Sequence, residues 1–495
     1  MIAGVAIALV LSLPSLAAAR PRTADGGTRY THSQARAILA RVQAVVARKA
    51  GSTAAHPGPV GDLTMELRDL RLALPALDRD ERTLALGLLG LVVPPPRSSC
   101  GGLFDAAIRT THFCVHYSGN AAWAQTTADT LEHVWAVEVD AMGYRPPPPD
   151  GDGLFDVFLQ EIGNQGYYGA CAPAENARHS TSSCVLDDDF DPAEFGGAPA
   201  INSLEVTAAH EFFHAVQFGY DTDEDTWFME GSAVWAEEQV YPAINDYLQY
   251  LRFSAITHPE TPEDYAGSTS SDLFYRYGAV LFWKFLSGQF GDQSIVRRVW
   301  EYADGDRYSL QAVAGALAER GWSFSRAFAR FGAWNTLPAG SYDDRALYPA
   351  PVWWQVQPLS RQHRSTGYQA VALNHLTNSA MLVQPVGRLR KHTKLRINVD
   401  GPAIAGVPGA TVQVRRRDGT VHVVDVPLNA AGDGSVLVRF DRRTVGAVVV
   451  TLTNASTRMT GCGTDQTYAY SCGGQSLDDG LPFAVSAQVK LPRRR

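Results

Sequence analysis

Residues 206–238 read VTAAHEFFHAVQFGYDTDEDTWFMEGSAVWAEE, and the rest of the chain can be interpreted around this stretch. It contains His210 and His214, four residues apart, with Glu211 beside the first. On an α-helix, positions i and i+4 lie one above the other, so both imidazoles can point at one metal ion while Glu211 lies over the same side. The pattern predicts a metal-binding helix that carries a general base.

Apolar residues recur beside the histidines at three- and four-residue steps. This spacing predicts a helix anchored in the core, with its metal-binding face turned to a cleft. The residues are Val206, Ala209, Phe213, Val216 and Tyr220.

A third metal ligand has to come from elsewhere, because catalytic zinc usually takes three protein ligands and leaves one position for water. Glu230 is the candidate, since the residues after His214 allow a turn and a second helix packed back on the first. Glu237, two turns further along that second helix, could hydrogen-bond a ligating histidine. Simpler interpretations stay open: a buried histidine pair, Glu230 as a carboxylate near a helix N-terminus, and Glu237 in a salt bridge.

The two segments together resemble a known family. The motif from His210 to His214, followed by WFMEGSA at 227–233, resembles the gluzincin zinc metallopeptidases, whose aminopeptidase branch carries Trp-x-x-Glu-Gly-x-Ala with that Glu as third ligand. The longer sequences around these motifs, AAHEFFHAVQ at 208–217 and EGSAVWAEE at 230–238, are similar to those of a group of secreted bacterial metallopeptidases of this clan. The resemblance covers roughly residues 105–335. It implies an α+β zincin-like catalytic domain, with a small sheet and a helical half that carries the metal helix, and Zn²⁺ bound by His210, His214 and Glu230.

The segment YRYGA at 275–279 is similar to the Tyr-x-x-Gly-Ala segment of the aminopeptidase branch. The resemblance implies that Tyr275 donates a hydrogen bond to the oxyanion. Spacing alone equally allows Tyr275 and Tyr277 to be amphipathic core residues.

The same family places an edge strand beside the metal helix, where it pairs with the substrate backbone. Residues 184–190 are the candidate for that strand, by β-addition. Asp187, Asp188 and Asp189 could instead bind calcium, or could blunt an exposed edge, which is the interpretation we favour.

Residues 1–19 form a short apolar run that ends in small residues, which predicts a secretory signal cleaved near Ala19. The run is too short for a convincing membrane span, although it lacks a basic start and could be retained as an anchor. An even number of cysteines, six, is consistent with an exported protein that forms disulfides. The simplest connectivity pairs each cysteine with its neighbour in the sequence. The expected pairs are Cys100 with Cys114, Cys171 with Cys184, and Cys462 with Cys472.

Composition excludes one class of partner. Lys and Arg total 43 against 51 Asp and Glu, and the net charge of −8 argues against a nucleic-acid partner. No membrane span is expected in the mature chain.

The patterning predicts several further regions. Residues 20–96 are expected to be helical, as an inhibitory propeptide or an integral subdomain, and to precede a catalytic domain at 97–336. A linker at 337–366 leads to period-two runs at 367–495, which predict a β-sandwich-like domain with a hairpin at Asp418-Gly419. That domain holds no catalytic constellation, so binding to a surface, to a substrate or to the catalytic domain all stay open.

These features predict a secreted zinc endopeptidase that cleaves a protein or peptide substrate, with Glu211 as general base. An aminopeptidase is an alternative and needs an acidic anchor for the substrate amine, for which Ala174-Glu175-Asn176 is a weak match. A non-catalytic adhesin or structural zinc protein is another. It requires a fourth protein ligand, for which Glu237 is the candidate.

Overall fold

The structure is a computed structural model that describes residues 30–46, 62–101, 106–267, 272–305, 307–342, 347–463 and 469–492. The predicted signal segment lies outside the described residues. Within them, no helix combines the length and the hydropathy that crossing a bilayer requires.

The N-terminal region is helical, as the pattern predicts. It contains α1 (His32–Val46), α2 (Thr64–Ala73) and α3 (Arg79–Val92). Helix α3 begins with a capping box, in which the Asp78 side chain accepts the Glu81 backbone N–H and the Glu81 side chain accepts that of Asp78. The three helices share an apolar cluster, which also includes Ala170, Ala172 and Val185 of the sheet that follows.

A five-stranded sheet follows, in the order β1-β2-β3-β5-β4. Strands β2, β3 and β5 are parallel, whereas β1 and β4 pair antiparallel at the two edges. The strands are β1 (Ala106–Arg109), β2 (Phe113–Tyr117), β3 (Phe155–Gln160), β4 (Gly169–Pro173) and β5 (Ser182–Asp187).

The edge strand predicted at residues 184–190 is wrong, because β5 lies inside the sheet between β3 and β4. Strand β4 forms that edge instead. Both strands are buried along their whole length, so their hydropathy does not distinguish an inner strand from an edge. Pairing partners decide the order, and these are set at long range.

Two central helices lie beside this sheet. Helix α5 (Ala200–Tyr220) packs against the sheet and against α4 (Ala121–Trp135), and α6 (Thr226–Val240) packs back on α5. From Val206 to Tyr220 every side chain is buried, which is more than an amphipathic stripe predicts. The remaining helices are α7 (Tyr275–Gly278), α8 (Val280–Phe290), α9 (Ser294–Ala303), α10 (Ser309–Glu319), α11 (Phe324–Asn335) and the short α12 (Pro338–Ser341).

The C-terminal region is rich in β-structure, as expected. A five-stranded sheet and a four-stranded sheet enclose one apolar core. Their strands are β6 (Gln355–Leu359), β7 (Gln369–Leu373), β8 (Thr377–Pro385), β9 (Lys394–Asp400), β10 (Pro408–Arg416), β11 (Val421–Asp425), β12 (Asp433–Arg439), β13 (Val445–Asn454) and β16 (Leu481–Lys490), with a small separate pair, β14 (Met459–Thr460) and β15 (Gln475–Ser476).

Two details of this region bear on the sequence expectations. Strand β6 lies within the stretch 337–366, where the sequence predicts a linker, and it pairs parallel to β8. The turn at Asp418-Gly419 joins the antiparallel strands β10 and β11, as predicted.

The three predicted disulfides are all present: Cys100–Cys114, Cys171–Cys184 and Cys462–Cys472. Cys171 and Cys184 lie directly opposite each other on β4 and β5. Three disulfides are consistent with an extracellular location.

Candidate metal centre

Three predicted ligands converge in the buried interior of the protein. Nε2 of His210 lies 3.0 Å from Nε2 of His214, and Oε2 of Glu230 lies 3.3 Å from the first and 3.4 Å from the second. The two histidines lie one turn apart on α5, and Glu230 comes from the first turns of α6. The buried helix pair therefore brings two imidazoles and a carboxylate to one point.

Each imidazole is oriented by an acceptor on its other nitrogen. Nδ1 of His210 lies 2.6 Å from Oε1 of Glu237, and Nδ1 of His214 lies 2.7 Å from Oε1 of Gln217. An Nδ1 that donates a proton leaves Nε2 of a neutral imidazole with a free lone pair. Both Nε2 atoms therefore face the centre of the cluster as potential metal ligands.

A fourth donor comes from the N-terminal region. Oδ2 of Asp62, just before α2, lies 3.0 Å from Nε2 of His210 and 3.8 Å from Nε2 of His214. The Asp62 side chain is only 5% exposed. Asp62, His210, His214 and Glu230 together form a group that could hold a metal ion.

The spacing of these donors fits a tetrahedral metal site. Zinc–nitrogen and zinc–oxygen bonds of about 2.0–2.1 Å in a tetrahedron place neighbouring donor atoms roughly 3.3 Å apart. The donor atoms of His210, His214 and Glu230 lie 3.0 to 3.4 Å apart, so one small divalent ion fits among them.

Glu211 lies beside the cluster and is held in place by two features. Its Oε2 accepts a hydrogen bond of 2.9 Å from the Thr64 hydroxyl at the start of α2. Gly169 on β4 passes so close that a Cβ there would lie 2.9 Å from Cγ of Glu211. Burial, and then the negative charge of Asp62, raise the pKa of Glu211 to about 8.

Without a metal ion, the buried imidazoles and carboxylates of the cluster strongly shift one another's pKa values. Burial alone would lower the pKa of His214, but hydrogen bonds to Asp62 and Glu230 raise it to about 9. Against the same effect of burial, hydrogen bonds to Asp62, Glu230 and Glu237 raise the pKa of His210 well above its ordinary value. Burial works against the charge of Asp62, yet the two histidines hold its pKa well below the usual range. Protons and a metal ion therefore compete for the same imidazole nitrogens.

An arginine lies behind Glu230. Arg276 Nη1 lies 3.8 Å from Oε1 of Glu230 and 3.4 Å from Oε1 of Glu66, which belongs to α2. Although burial opposes its charge, these carboxylates raise the pKa of Arg276 above its ordinary value. Glu230 thus has one oxygen directed at the histidines and the other near a permanent cation.

A cavity of about 320 Å³ opens beside the cluster. Its wall includes His210, Glu211 and Glu237, so the proposed base borders open space as well as the ligands. Asp246 also lines it, from the segment after α6. The other lining residues are Asp62, Tyr168, Ala198, Asn202, Ser203, Val206, Thr207, Ile244, Asn245, Gln249, Tyr250 and Tyr277.

The structure does not bring Tyr275 to this cluster. Its ring packs against Phe253, His258 and Tyr265, away from the cavity. Tyr277 is the tyrosine that reaches the site, with its hydroxyl 3.2 Å from Oδ2 of Asp62. Residues two positions apart point to nearly opposite sides of a helix, so only one of the two can face the metal helix.

Glu237 occupies the position expected of a residue that orients a ligand. It contacts Nδ1 of His210, on the far side of the ring from the cluster, so it is not placed as a fourth ligand. Burial raises the pKa of Glu237 to about 8.

Other acidic groups lie away from this centre. Asp187 accepts backbone N–H groups from Ile162, Gly163 and Phe190, and so closes the loop after β5. Carboxylate oxygens of Asp187, Asp188 and Asp189 also lie close enough together to hold one metal ion, as binding of calcium would require. Glu175 accepts hydrogen bonds from Ser180 and Thr181 and does not line the cavity.

Sequence reasoning missed several residues of the site, among them Gln217, Asp62 and Thr64. Gln217 is three residues after His214 on the same helix, so its position in the motif was a signal that could have been used. Asp62 and Thr64 carry no such signal, because nearly 150 residues separate them from the histidines.

The comparisons with known proteins give no family for the chain. No protein-family model matches it, and no curated protein does. One similar solved structure is a family GH115 4-O-methyl-α-glucuronidase with specificity for decorated arabinogalactans, at 9% identity over 72% of this chain and 54% of that chain, with a TM-score of 0.15. Another is a β-glucosidase from Paenibacillus barengoltzii, at 10% identity over 90% of this chain and 50% of that chain, with a TM-score of 0.13. The chain spans about half the length of each, and TM-scores this low carry no inference about fold or function.

Proposed function

We propose that the chain is a secreted zinc-dependent peptidase with a zincin-like catalytic region. One observation carries the proposal: three buried donor atoms from His210, His214 and Glu230 lie 3.0 to 3.4 Å apart, with Glu211 beside them at a cavity. The gluzincin resemblance of the same residues supports the choice of zinc and of peptide bonds. Two imidazoles with one carboxylate also form a donor set typical of catalytic zinc.

The bound metal would supply Lewis acidity, which brings the pKa of a water molecule down toward neutrality. Glu211 then accepts the proton of the attacking water at a carboxylate oxygen and passes it to the leaving amine. Glu237 and Gln217 keep the two imidazoles in the tautomer that ligation needs.

Tyr277 is better placed than Tyr275 to stabilise developing negative charge. Tyr277 lines the cavity, its hydroxyl lies 3.2 Å from Oδ2 of Asp62, and its ring stacks near His210 with the two centroids 6.0 Å apart. Burial, and then the charges of Asp62 and Glu230, raise the pKa of Tyr277 well above its usual range, so it stays a neutral donor.

A specific observation supports each of the two alternatives. Asp246 adds a carboxylate to the cavity wall, which is the kind of anchor that an aminopeptidase needs for a substrate amine. Asp62 adds a fourth donor to the cluster, which is what a structural zinc site requires. We rank the endopeptidase first, because Glu175 does not line the cavity and because a structural site does not require a carboxylate such as Glu211 at an open cavity.

The decisive test is Glu211→Gln, which removes the base and keeps the side-chain shape. We expect the variant to bind one zinc ion per chain and to lose hydrolysis of a denatured protein substrate by about 10²- to 10⁴-fold. Glu205→Gln, on the same helix at a half-buried position, is the matched control and should leave hydrolysis unchanged. Both are assayed in the wild-type chain and with Asp62→Ala, because Asp62 lies at the cluster.

Equal hydrolysis by wild type and Glu211→Gln would reject Glu211 as the base. Zinc-loaded protein without hydrolysis in either background would reject the peptidase. N-acetylated and free peptides of the same sequence separate the two peptidase types, since an aminopeptidase fails on the blocked peptide.

A further inference from the structure

We propose that the segment from Asp62 to Arg71 is a built-in inhibitor, and that the chain stays latent until this segment is displaced. The proposal concerns regulation of the site above and rests on the proposed function. It is carried by contacts that this one segment makes with the metal ligands, the base and the sheet edge.

The first contact is at the metal ligands. Asp62 Oδ2 lies 3.0 Å from His210 Nε2, and its other oxygen accepts the Thr64 backbone N–H at 2.7 Å. One oxygen therefore fixes the start of α2, while the other lies among the donors of the cluster. A fourth protein donor takes the position that a catalytic centre leaves for water.

The second contact is at the base. The Thr64 hydroxyl donates to Oε2 of Glu211 at 2.9 Å and accepts the Cys171 backbone N–H at 2.8 Å. Thr64 is fully buried in this position. A carboxylate oxygen engaged in this way is not free to take a proton from water.

The third contact is along the edge strand β4. Besides the Cys171 N–H held by Thr64, Arg71 Nε donates to the Pro173 carbonyl at 2.9 Å. These outward-facing backbone groups of an edge strand are the ones that an added peptide strand would use. Helix α2 therefore covers the edge at which an extended peptide substrate would bind.

Three further contacts hold the segment in place. Glu66 forms an ion pair with Arg276, and the Tyr277 hydroxyl donates a hydrogen bond to Asp62, so two residues of α7 bind the segment. Arg68 Nη1 donates to the Glu224 carbonyl just before α6 at 2.6 Å.

The N-terminal helices also have the organisation of a removable unit. Most of their described apolar side chains form one cluster around α1, α2 and α3, which Ala170, Ala172 and Val185 of the sheet join. The large core around α5 and α6 is a separate cluster, to which α2 adds Met65. After α3 the chain leaves through a proline run and the exposed Ser98 and Ser99.

A structural fourth ligand explains Asp62 but not the other contacts. It gives no reason for Thr64 to engage Glu211, nor for Arg71 to cover the carbonyl of Pro173. An inhibitor explains all of them, because metal ligands, base and edge strand are the three places that a peptide substrate has to reach.

The test compares metal access in full-length wild type, Asp62→Ala, Asp62→Asn and the control Asp80→Ala, all loaded with Co²⁺. Asp62→Asn keeps an oxygen for the Thr64 N–H and so protects the fold, whereas Asp80 is exposed on α3. The first readout is the visible spectrum during titration with acetohydroxamic acid, a small ligand for an open metal position. The second is hydrolysis of a denatured protein.

We expect hydroxamate to change the spectrum of both Asp62 variants. Wild type and Asp80→Ala should need a hydroxamate concentration at least about tenfold higher for the same change. We expect hydrolysis to rise by a similar factor. Equal hydroxamate binding in all four proteins would overturn the inhibitor. Loss of Co²⁺ from both Asp62 variants would overturn it too, and would make Asp62 a structural ligand.

The proposed function fails differently. If the Asp62 variants gain hydroxamate binding but hydrolyse no protein or peptide, the inhibitory contact stands and the peptidase does not. If wild type and all variants bind no metal, the metal centre fails and the inhibitor with it.

Discussion

The side-chain oxygen of Gln217 lies 2.7 Å from Nδ1 of His214, three residues earlier on the same helix. The amide nitrogen of Gln217 donates to the Met229 carbonyl on α6 at 2.9 Å, which fixes the orientation of the amide. Gln217 therefore sets the tautomer of one predicted ligand and ties its helix to the helix that carries Glu230.

Removing this acceptor should weaken the metal site. We expect Gln217→Leu to lower zinc affinity by about 10- to 100-fold, because His214 loses the group that fixes its tautomer. Competition with a chromophoric chelator measures the affinity. Gln239→Leu, on the partly exposed side of α6, is the control and should bind zinc like wild type. An unchanged affinity in Gln217→Leu would show that the 2.7 Å contact does not support ligation.

Metal binding should release protons. The pKa of His214 is raised to about 9 and that of His210 lies well above its ordinary value, so near pH 7 the metal-free cluster holds protons that a bound metal ion has to displace. We expect zinc uptake at pH 7 to release at least about one proton and zinc affinity to fall as the pH is lowered. Titration calorimetry in buffers of different ionisation enthalpy gives the number of protons released per zinc ion bound. Zinc uptake without proton release would contradict the raised pKa values of the two histidines.

The stability of the metal-free protein should fall as the pH rises. The raised pKa of His214, about 9 against an ordinary 6.5, means that the folded state binds more protons than the unfolded state in this range. Glu211 and Glu237, each with a pKa of about 8, act in the same direction. The contribution of His214 is fully present below pH 6.5 and is lost as the pH rises to about 9. That of the two glutamates is fully present only below pH 4.5 and is lost as the pH rises to about 8. We expect the Tm measured in chelator to drop by at least about 2 °C more than that of the zinc-loaded protein, a shift that corresponds to roughly 1 kcal/mol. An equal change of Tm with pH in the metal-free and the zinc-loaded protein would contradict this prediction.

The two tyrosines of α7 should differ in their effect on activity. We expect Tyr277→Phe to lower kcat by about 10²-fold, since a donor to developing negative charge is lost. Tyr275→Phe is the matched control and should change kcat little, because that ring packs outside the cavity. Both are measured with Asp62→Asn, in which Tyr277 is released from the aspartate charge. The reverse ranking would restore the role that the resemblance implies for Tyr275.

Close packing at Gly169 should be sensitive to a single methyl group. A Cβ there would lie 2.9 Å from both Cγ of Glu211 and Cγ2 of Thr207. We expect Gly169→Ala to lower the free energy of unfolding by about 1–3 kcal/mol and to reduce kcat by moving Glu211. Gly90→Ala is the control, on an exposed face of α3 with nothing within 4 Å, and should be neutral or slightly stabilising. Urea denaturation measures both, and wild-type stability in Gly169→Ala would show that β4 can move away.

The sequence by itself determined the features that depend on local spacing. The four-residue step from His210 to His214 places two imidazoles on one helical face, and the gap to Glu230 allows one turn and a second helix. Local pairing of the six cysteines followed from their grouping. Alternating apolar runs likewise predicted the β-rich C-terminal region. Each of these patterns involves neighbours along the chain.

Only the tertiary structure decided what surrounds the cluster. Asp62 and Thr64 meet the metal helix from about 150 residues away, and no periodicity reports such a contact. That Tyr277 rather than Tyr275 lies at the cluster depends on how α7 packs, and the exchange of β4 for β5 at the sheet edge depends on strand pairing. The physical reason is the same throughout: these contacts are set by the packing of whole elements, whereas the motif is set by the geometry of one helix.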